Sequence, residues 1–212
     1  MKLSRLGIFL VTLAIVVIGG PILDALGQVR ELPPQNSDKS LDITRYSNEP
    51  LELVDLKVGE QGIKNKIASK FRSDGAGLDT VTFKERNGWF KRISVTMRNV
   101  SGSPIYGLRA YLYFIPPGSR TLYSLPLRAT TILNKGVAEP GSEITLTVSE
   151  QAWSLTTDIL DKHDVNPDLA SVEFSIEYVR FASDLQWSKG QLLRRDPNNP
   201  NKWNVIDMKD DP

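Results

Sequence analysis

The chain holds one histidine, no cysteine and 25 acidic side chains, and these limit the chemistry open to it. His163 stands beside Asp158, Asp161 and Asp164, so a Ser-His-Asp arrangement would have to use it. No Gly-x-Ser-x-Gly elbow is present to hold a serine nucleophile. The ordinary reading is a surface histidine just past a helix end, where the helix dipole favours a cation. Glu173 and Glu177 lie on one face of a strand, and paired carboxylates can hydrolyse glycosides. Four residues of strand separate them by roughly 13 Å, wider than either glycosidase geometry. They read as a solvated outer face. Asp158, Asp161, Asp164 and Asp168 form one group of carboxylates, and Asp207, Asp210 and Asp211 another. Calcium takes such oxygens. Neither group, nor Asp74 to Asp79, has the alternating spacing and closing glutamate of a calcium loop. Capping, turns and solvation account for them, and no metal or cofactor is expected.

Arg109, Tyr111 and Tyr113 suggest binding rather than catalysis. At a spacing of two they share one face of a strand, and a row of aromatic and basic side chains can stack on sugar rings or on a protein partner. The competing expectation is that a helical crossover or the C-terminal tail covers this face. Trp89, Trp187 and Trp203 lie near strand ends or in the tail, and are expected to pin the tail to the body. Asn99-Val100-Ser101 fits a glycosylation sequon, but as part of Asn99-Val100-Ser101-Gly102-Ser103-Pro104 it reads first as a turn.

The elements that must position these residues have a period of two. Leu51-Glu52-Leu53 opens a strand, and Val54, Leu56 and Val58 continue it on the other parity, which suggests a bulge or a strand covered on both faces. Over Phe90 to Arg98, Ile93, Val95 and Met97 alternate with Ser94, Thr96 and Arg98. Over Ile105 to Ile115, Leu108, Ala110, Leu112 and Phe114 point inward. Thr121 to Leu133 gives one or two strands around Pro126. Ile144, Leu146 and Val148 alternate with threonines, and Val172, Phe174, Ile176 and Tyr178 alternate with Glu173, Ser175 and Glu177. Glu150 to Lys162 breaks the pattern. With apolar Trp153, Ile159 and Leu160, it reads as a short helix capped by Ser149 or Ser154 and ending before Asn166-Pro167. The expected class is mainly β: a single antiparallel β-sandwich with one helical crossover.

The first 27 residues carry an address. Lys2 and Arg5 precede an uncharged, mostly apolar run from Leu6 to Leu23, followed by Ala25-Leu26-Gly27. This is the layout of a secretory signal cleaved between Gly27 and Gln28. The rival is an uncleaved anchor in which residues 6–23 cross the membrane, although such a run is short for a span of about 20 residues. Gln28 to Ser40 reads as a flexible linker, and residues 41–212 as the folded domain with its tail. Removing residues 1–27 takes away Lys2, Arg5 and Asp24 and leaves 24 basic and 24 acidic side chains. That near-neutral balance argues against a nucleic-acid partner. Without cysteine there is no disulfide framework, so stability must come from a hydrophobic core.

The stretch Ile93-Ser-Val-Thr-Met-Arg-Asn-Val-Ser-Gly-Ser-Pro-Ile105, followed by Glu139-Pro-Gly-Ser-Glu-Ile-Thr-Leu-Thr-Val148, resembles immunoglobulin-like modules of exported bacterial proteins, of the FxLYD type. The resemblance covers residues 90–150. The motif itself is lacking, and Tyr111-Leu-Tyr-Phe114 sits in the comparable strand. Phe181-Ala-Ser-Asp-Leu-Gln-Trp187-Ser-Lys-Gly190 and Arg194-Arg-Asp-Pro-Asn-Asn-Pro-Asn-Lys-Trp203 resemble the ends of uncharacterised exported bacterial proteins. The resemblance implies an immunoglobulin-like sandwich and brings no catalytic residue. The expected function is a non-catalytic binding or structural module of the bacterial envelope, periplasmic or extracellular, whose partner is a protein or a glycan. A glycan would use Tyr111 and Tyr113; a hydrolase is the weakest alternative.

Overall fold

The computed structural model describes residues 36–64, 67–71, 76–163, 169–182 and 184–206. The expectations for the signal or anchor, for Gly27 and Gln28, and for Asp74, Asp164, Asp168, Asp207, Asp210 and Asp211 lie outside these residues. No helix among the described residues is long and apolar enough to cross a membrane.

The protein is mainly β. In chain order come β1 (Ser37–Arg45), β2 (Leu51–Val58), β3 (Gln61–Gly62), β4 (Ile67–Phe71), β5 (Gly77–Glu85), a 3-10 turn (Trp89–Arg92), β6 (Ile93–Asn99) and β7 (Gly107–Phe114). Then follow β8 (Tyr123–Ala129), α1 (Thr130–Lys135), β9 (Glu143–Val148), α2 (Glu150–Lys162), β10 (Ser171–Ala182), β11 (Leu185–Ser188), β12 (Gln191–Asp196) and β13 (Asn199–Val205). β1 begins at Ser37, inside the stretch read as linker.

Hydrogen bonding joins the strands into one curled mixed sheet in the order β13-β12-β11-β10-β7-β8-β9-β6-β2-β3, with β1, β5 and β4 branching from β10. The expectation of purely antiparallel pairing fails at one place. β1 runs parallel to β10, with Leu41 beside Val172 and Ile43 beside Phe174. A parallel pair needs a long connection, and here nearly the whole domain lies between the two strands.

Inward side chains from strands on both arms of the curl meet in one core, including Leu41, Leu56, Val95, Leu112, Leu146 and Phe174. Around it, Phe83 and Trp89 meet edge to face at 4.9 Å. The Trp89 indole donates to Leu169 O at 2.8 Å, tying the approach to β10 onto the core.

The expected bulge in β2 is present: the register to β6 shifts between Leu53 and Asp55. Phe90 is not in the strand but in the 3-10 turn, where it is fully buried. Pro126 sits within β8, in the part to which β9 does not pair, so its missing N–H breaks no ladder on that side. The continuation toward Leu133 is α1, not a strand.

α2 has the expected limits, and the Ser149 side chain accepts from Ala152 N at 3.2 Å. Leu160 and Thr156 face the core, whereas Ile159, expected among its apolar contacts, is exposed together with Leu155.

Candidate functional site

The site is decided by β10. Its first half pairs with β1 and its second half with β11, while β7 runs along its other side. Ile176 pairs with Ala110, but Tyr178 pairs with Arg109, so Glu177 is an extra residue in the ladder. This bulge reverses the parity beyond it. Tyr178, expected to point inward, is half-buried and lies beneath the Arg109 guanidinium, while Val179 and Phe181 enter the core. Glu173, Ser175 and Glu177 therefore share an outer face with Tyr113 and Tyr111.

That face is concave. An open cleft of about 450 Å³ is lined by Thr44, Tyr46, Tyr113, Glu173, Glu177 and Lys189, with Ser175 and Leu122 completing it. The two glutamates are not a solvated face as their spacing suggested. Thr44 Oγ1 donates to Glu173 Oε1 at 2.5 Å, and Tyr113 Oη donates to Glu177 Oε1 at 2.6 Å. Lys189 Nζ lies 3.2 Å from Glu177 Oε2. Burial, followed by the Glu177 carboxylate, holds the Tyr113 hydroxyl well above the usual phenol range, so it remains a donor at all physiological pH.

Lys189 reaches this place through the turn between β11 and β12. Lys189 and Gly190 both have positive φ, at 47° and 85°. Two such residues form the tight hairpin that matches strand twist. The Gly190 carbonyl accepts from Asn48 Nδ2 at 2.6 Å, and Ser188 Oγ donates to Glu177 O at 2.7 Å. Below the turn, Trp187 is buried edge-on against Tyr46, ring centroids 5.7 Å apart.

The sequence placed Arg109, Tyr111 and Tyr113 on one face, and they share it. They do not form a flat exposed strip. Tyr111 and Tyr113 are half-buried, with centroids 5.7 Å apart and planes tilted by 39°. Arg109 is exposed and stands 5.1 Å from the Tyr178 centroid. Sequence reasoning missed Thr44, Tyr46 and Lys189, which reach the cleft from β1, from just beyond it, and from the C-terminal hairpin. The Lys-Gly pair between alternating stretches was the one available signal.

His163 is exposed at the end of α2, where its backbone N–H donates to Leu160 O at 3.1 Å. Asp158 and Asp161 are exposed on the same helix. Asn99 is a turn organiser. Its Nδ2 donates to Ser103 O at 2.8 Å and Ala138 O at 3.0 Å. Its Oδ1 accepts from Ser101 N at 3.1 Å and Ser101 Oγ at 2.7 Å. Both amide hydrogens are committed inside the protein, so the sequon is occupied by the fold. No family model matches the chain, and neither a curated protein nor a solved structure matches it.

Proposed function

We propose that the chain is an exported, non-catalytic binding module of the bacterial cell envelope, and that its ligand is a glycan seated in the cleft beside Tyr111 and Tyr113. The carrying observation is the cleft itself, where half-buried Tyr46 and Tyr113 line it together with the carboxylates of Glu173 and Glu177 and the hydroxyl of Thr44, and Tyr111 lies against Tyr113 next to that lining. Sugar rings offer apolar C–H faces to aromatic rings and hydroxyl groups to carboxylates, and this combination supplies both. Export is supported by Lys2 and Arg5, the uncharged run from Leu6 to Leu23 and Ala25-Leu26-Gly27. The same reading takes the curled sheet as an immunoglobulin-like sandwich of the FxLYD type. Its support is the strand–asparagine turn–strand rhythm of β6 and β7 and the core shared by both arms of the sheet. A non-catalytic role is supported by His163, which lies at a helix end, away from the cleft lining.

The test is affinity electrophoresis and calorimetry against a panel of soluble polysaccharides, with Tyr111→Ala and Tyr113→Phe as variants. At least one polysaccharide should bind, and Tyr111→Ala should weaken it roughly ten-fold, as expected for the loss of one aromatic contact. Binding that both variants leave unchanged removes the cleft from the mechanism.

A further inference from the structure

Beyond the cleft, the same outer face changes sign. Arg109 and Arg180 stand 5.1 Å and 5.4 Å from the Tyr178 ring centroid. Arg180 and Arg195 stand 5.8 Å and 5.0 Å from that of Trp203. Three guanidiniums and two rings thus form a continuous ladder from β7 across β10 to the β12–β13 hairpin. Arg128, exposed on β8 one residue past the Ala110–Leu127 pair that ends the β7–β8 pairing, adds a further cation to this side of the sheet.

Among the described residues the ion pairs use other side chains, and none of Arg109, Arg128, Arg180 or Arg195 has a carboxylate partner. Glu177, the nearest acid along β10, is engaged by Tyr113 and Lys189. Among the described residues, Arg180 makes a long side-chain hydrogen bond, 3.5 Å to Gln186 Oε1, and the Nε atoms of Arg180 and Arg195 are buried without a partner. A guanidinium has five donors arranged to fit an oxyanion. Stacking fixes the side chains before any ligand arrives, so little rotamer freedom remains to be lost on binding. Each ring already carries two guanidiniums, so what the ladder chiefly offers a ligand is charge.

We propose that this strip binds the acid groups of an anionic polysaccharide whose sugar rings occupy the cleft. The inference rests on the glycan reading of the cleft and narrows the ligand to polymers bearing carboxylate, sulfate or phosphate. Arg109 lies four residues from Tyr113 along β7, about 13 Å at strand rise. An acid group there is held away from Glu173, which pairs with Tyr113, while the neighbouring Glu177 turns its carboxylate to Tyr113 and Lys189.

The protein is titrated with polygalacturonate, its methyl-esterified form, dextran sulfate, polyphosphate, oligo-dT, and vesicles of phosphatidylglycerol or phosphatidylcholine. Arg109→Gln is the diagnostic variant, because Arg109 is exposed and pins no element; thermal unfolding confirms its fold. An acidic polysaccharide should bind at least ten-fold more tightly than the esterified one and weaken as salt rises. Arg109→Gln should cost at least five-fold, and Arg109→Lys less. Preference for the carboxylated or the sulfated polymer identifies the acid group. Equal binding of acidic and esterified polymers, lost in Tyr111→Ala but not in Arg109→Gln, overturns the strip and leaves the cleft reading standing. Acid-polymer binding lost in Arg109→Gln and untouched by both Tyr111→Ala and Tyr113→Phe keeps the strip and sinks the cleft reading. Tighter Arg109-dependent binding to polyphosphate, oligo-dT or phosphatidylglycerol vesicles than to any polysaccharide overturns the assignment, as does no binding to any polysaccharide.

Discussion

Asn99 is 1% exposed and makes four side-chain hydrogen bonds at the end of β6. In Asn99→Ala, Ala138 O keeps the Ile105 N–H at 2.9 Å and Ser103 O keeps Ser101 Oγ at 3.0 Å. Ser101 N loses its side-chain acceptor. Four bonds at about 1 kcal/mol each, partly compensated in this way, give a cost of about 3 kcal/mol. For a domain of this size that lowers Tm by roughly 10 °C. Asn99→Asp keeps the shape and the acceptor toward Ser101 but turns a carboxylate oxygen onto two carbonyl oxygens. Burial and those carbonyls raise the pKa of the new group above its unfolded value of about 3.9. The protonated form, which donates once, is therefore the stable one. Its stability is fully present below the unfolded pKa and is lost as pH rises through the folded one. Guanidinium unfolding followed by tryptophan fluorescence should show Asn99→Asp with a small deficit at pH 4 and a deficit at least equal to that of Asn99→Ala at pH 7. Equal deficits of Asn99→Asp at the two pH values, or a cost below about 1 kcal/mol for Asn99→Ala, would refute the hydrogen-bond account.

Ser149→Ala removes the acceptor for Ala152 N at the start of α2 and should cost about 1 kcal/mol, read as a lower denaturant midpoint with an unchanged m-value. Burial, opposed by Arg45, leaves the Glu49 carboxyl titrating above its ordinary value of 4.5. Stability should therefore rise as pH falls through that raised value toward 4.5, and Glu49→Gln should abolish the slope; an unaltered slope in the variant contradicts the assignment. Tyr113 should be among the last tyrosines to ionise in an ultraviolet titration, with Tyr113→Phe deleting that component. Above pH 10.0 the unfolded chain ionises at this residue before the folded one, so wild-type stability should fall there. Gly190→Ala meets a positive φ and brings Cβ to 3.0 Å from Tyr46 Cδ1. A loss of about 1–2 kcal/mol is expected, and a thermal transition unchanged from wild type would dismiss the strain argument.

Where the pattern was local, the sequence was legible. The alternation of Ile93, Val95 and Met97 specifies β6, the parity change after Leu53 marks the β2 bulge, and Ser149 with the following polar-apolar run delimits α2. The inward set on β7 follows the same rule, which is why Arg109, Tyr111 and Tyr113 could be placed together. β1 begins within the segment read as linker, because Ser37 to Ser40 is polar and becomes a strand only by pairing with β5 and then β10. In sequence, the C-terminal run reads as a tail. Its polar strands β12 and β13 bury little and are held as a hairpin stacked through Trp203 onto Arg180. By alternation Tyr178 reads as a core residue, because a bulge carries no signature when the extra residue is an ordinary glutamate.

The sequence by itself determined a disulfide-free, near-neutral, mainly β chain behind an apolar N-terminal run. Composition and period-two alternation are properties of neighbouring residues, and they suffice for that. Only the tertiary structure decided what the outer face brings together. Glu173 and Glu177 become a cleft because Thr44, Tyr113 and Lys189 arrive from elements 64 to 129 residues away in the first two contacts, and from the far side of a hairpin in the third. The arginine ladder likewise joins β7, β10, β12 and β13, and the single-residue bulge at Glu177 turns Tyr178 outward to carry it. Strand pairing over such distances depends on the closing of the whole sheet, and no local pattern along the chain encodes which outward side chains will end up face to face.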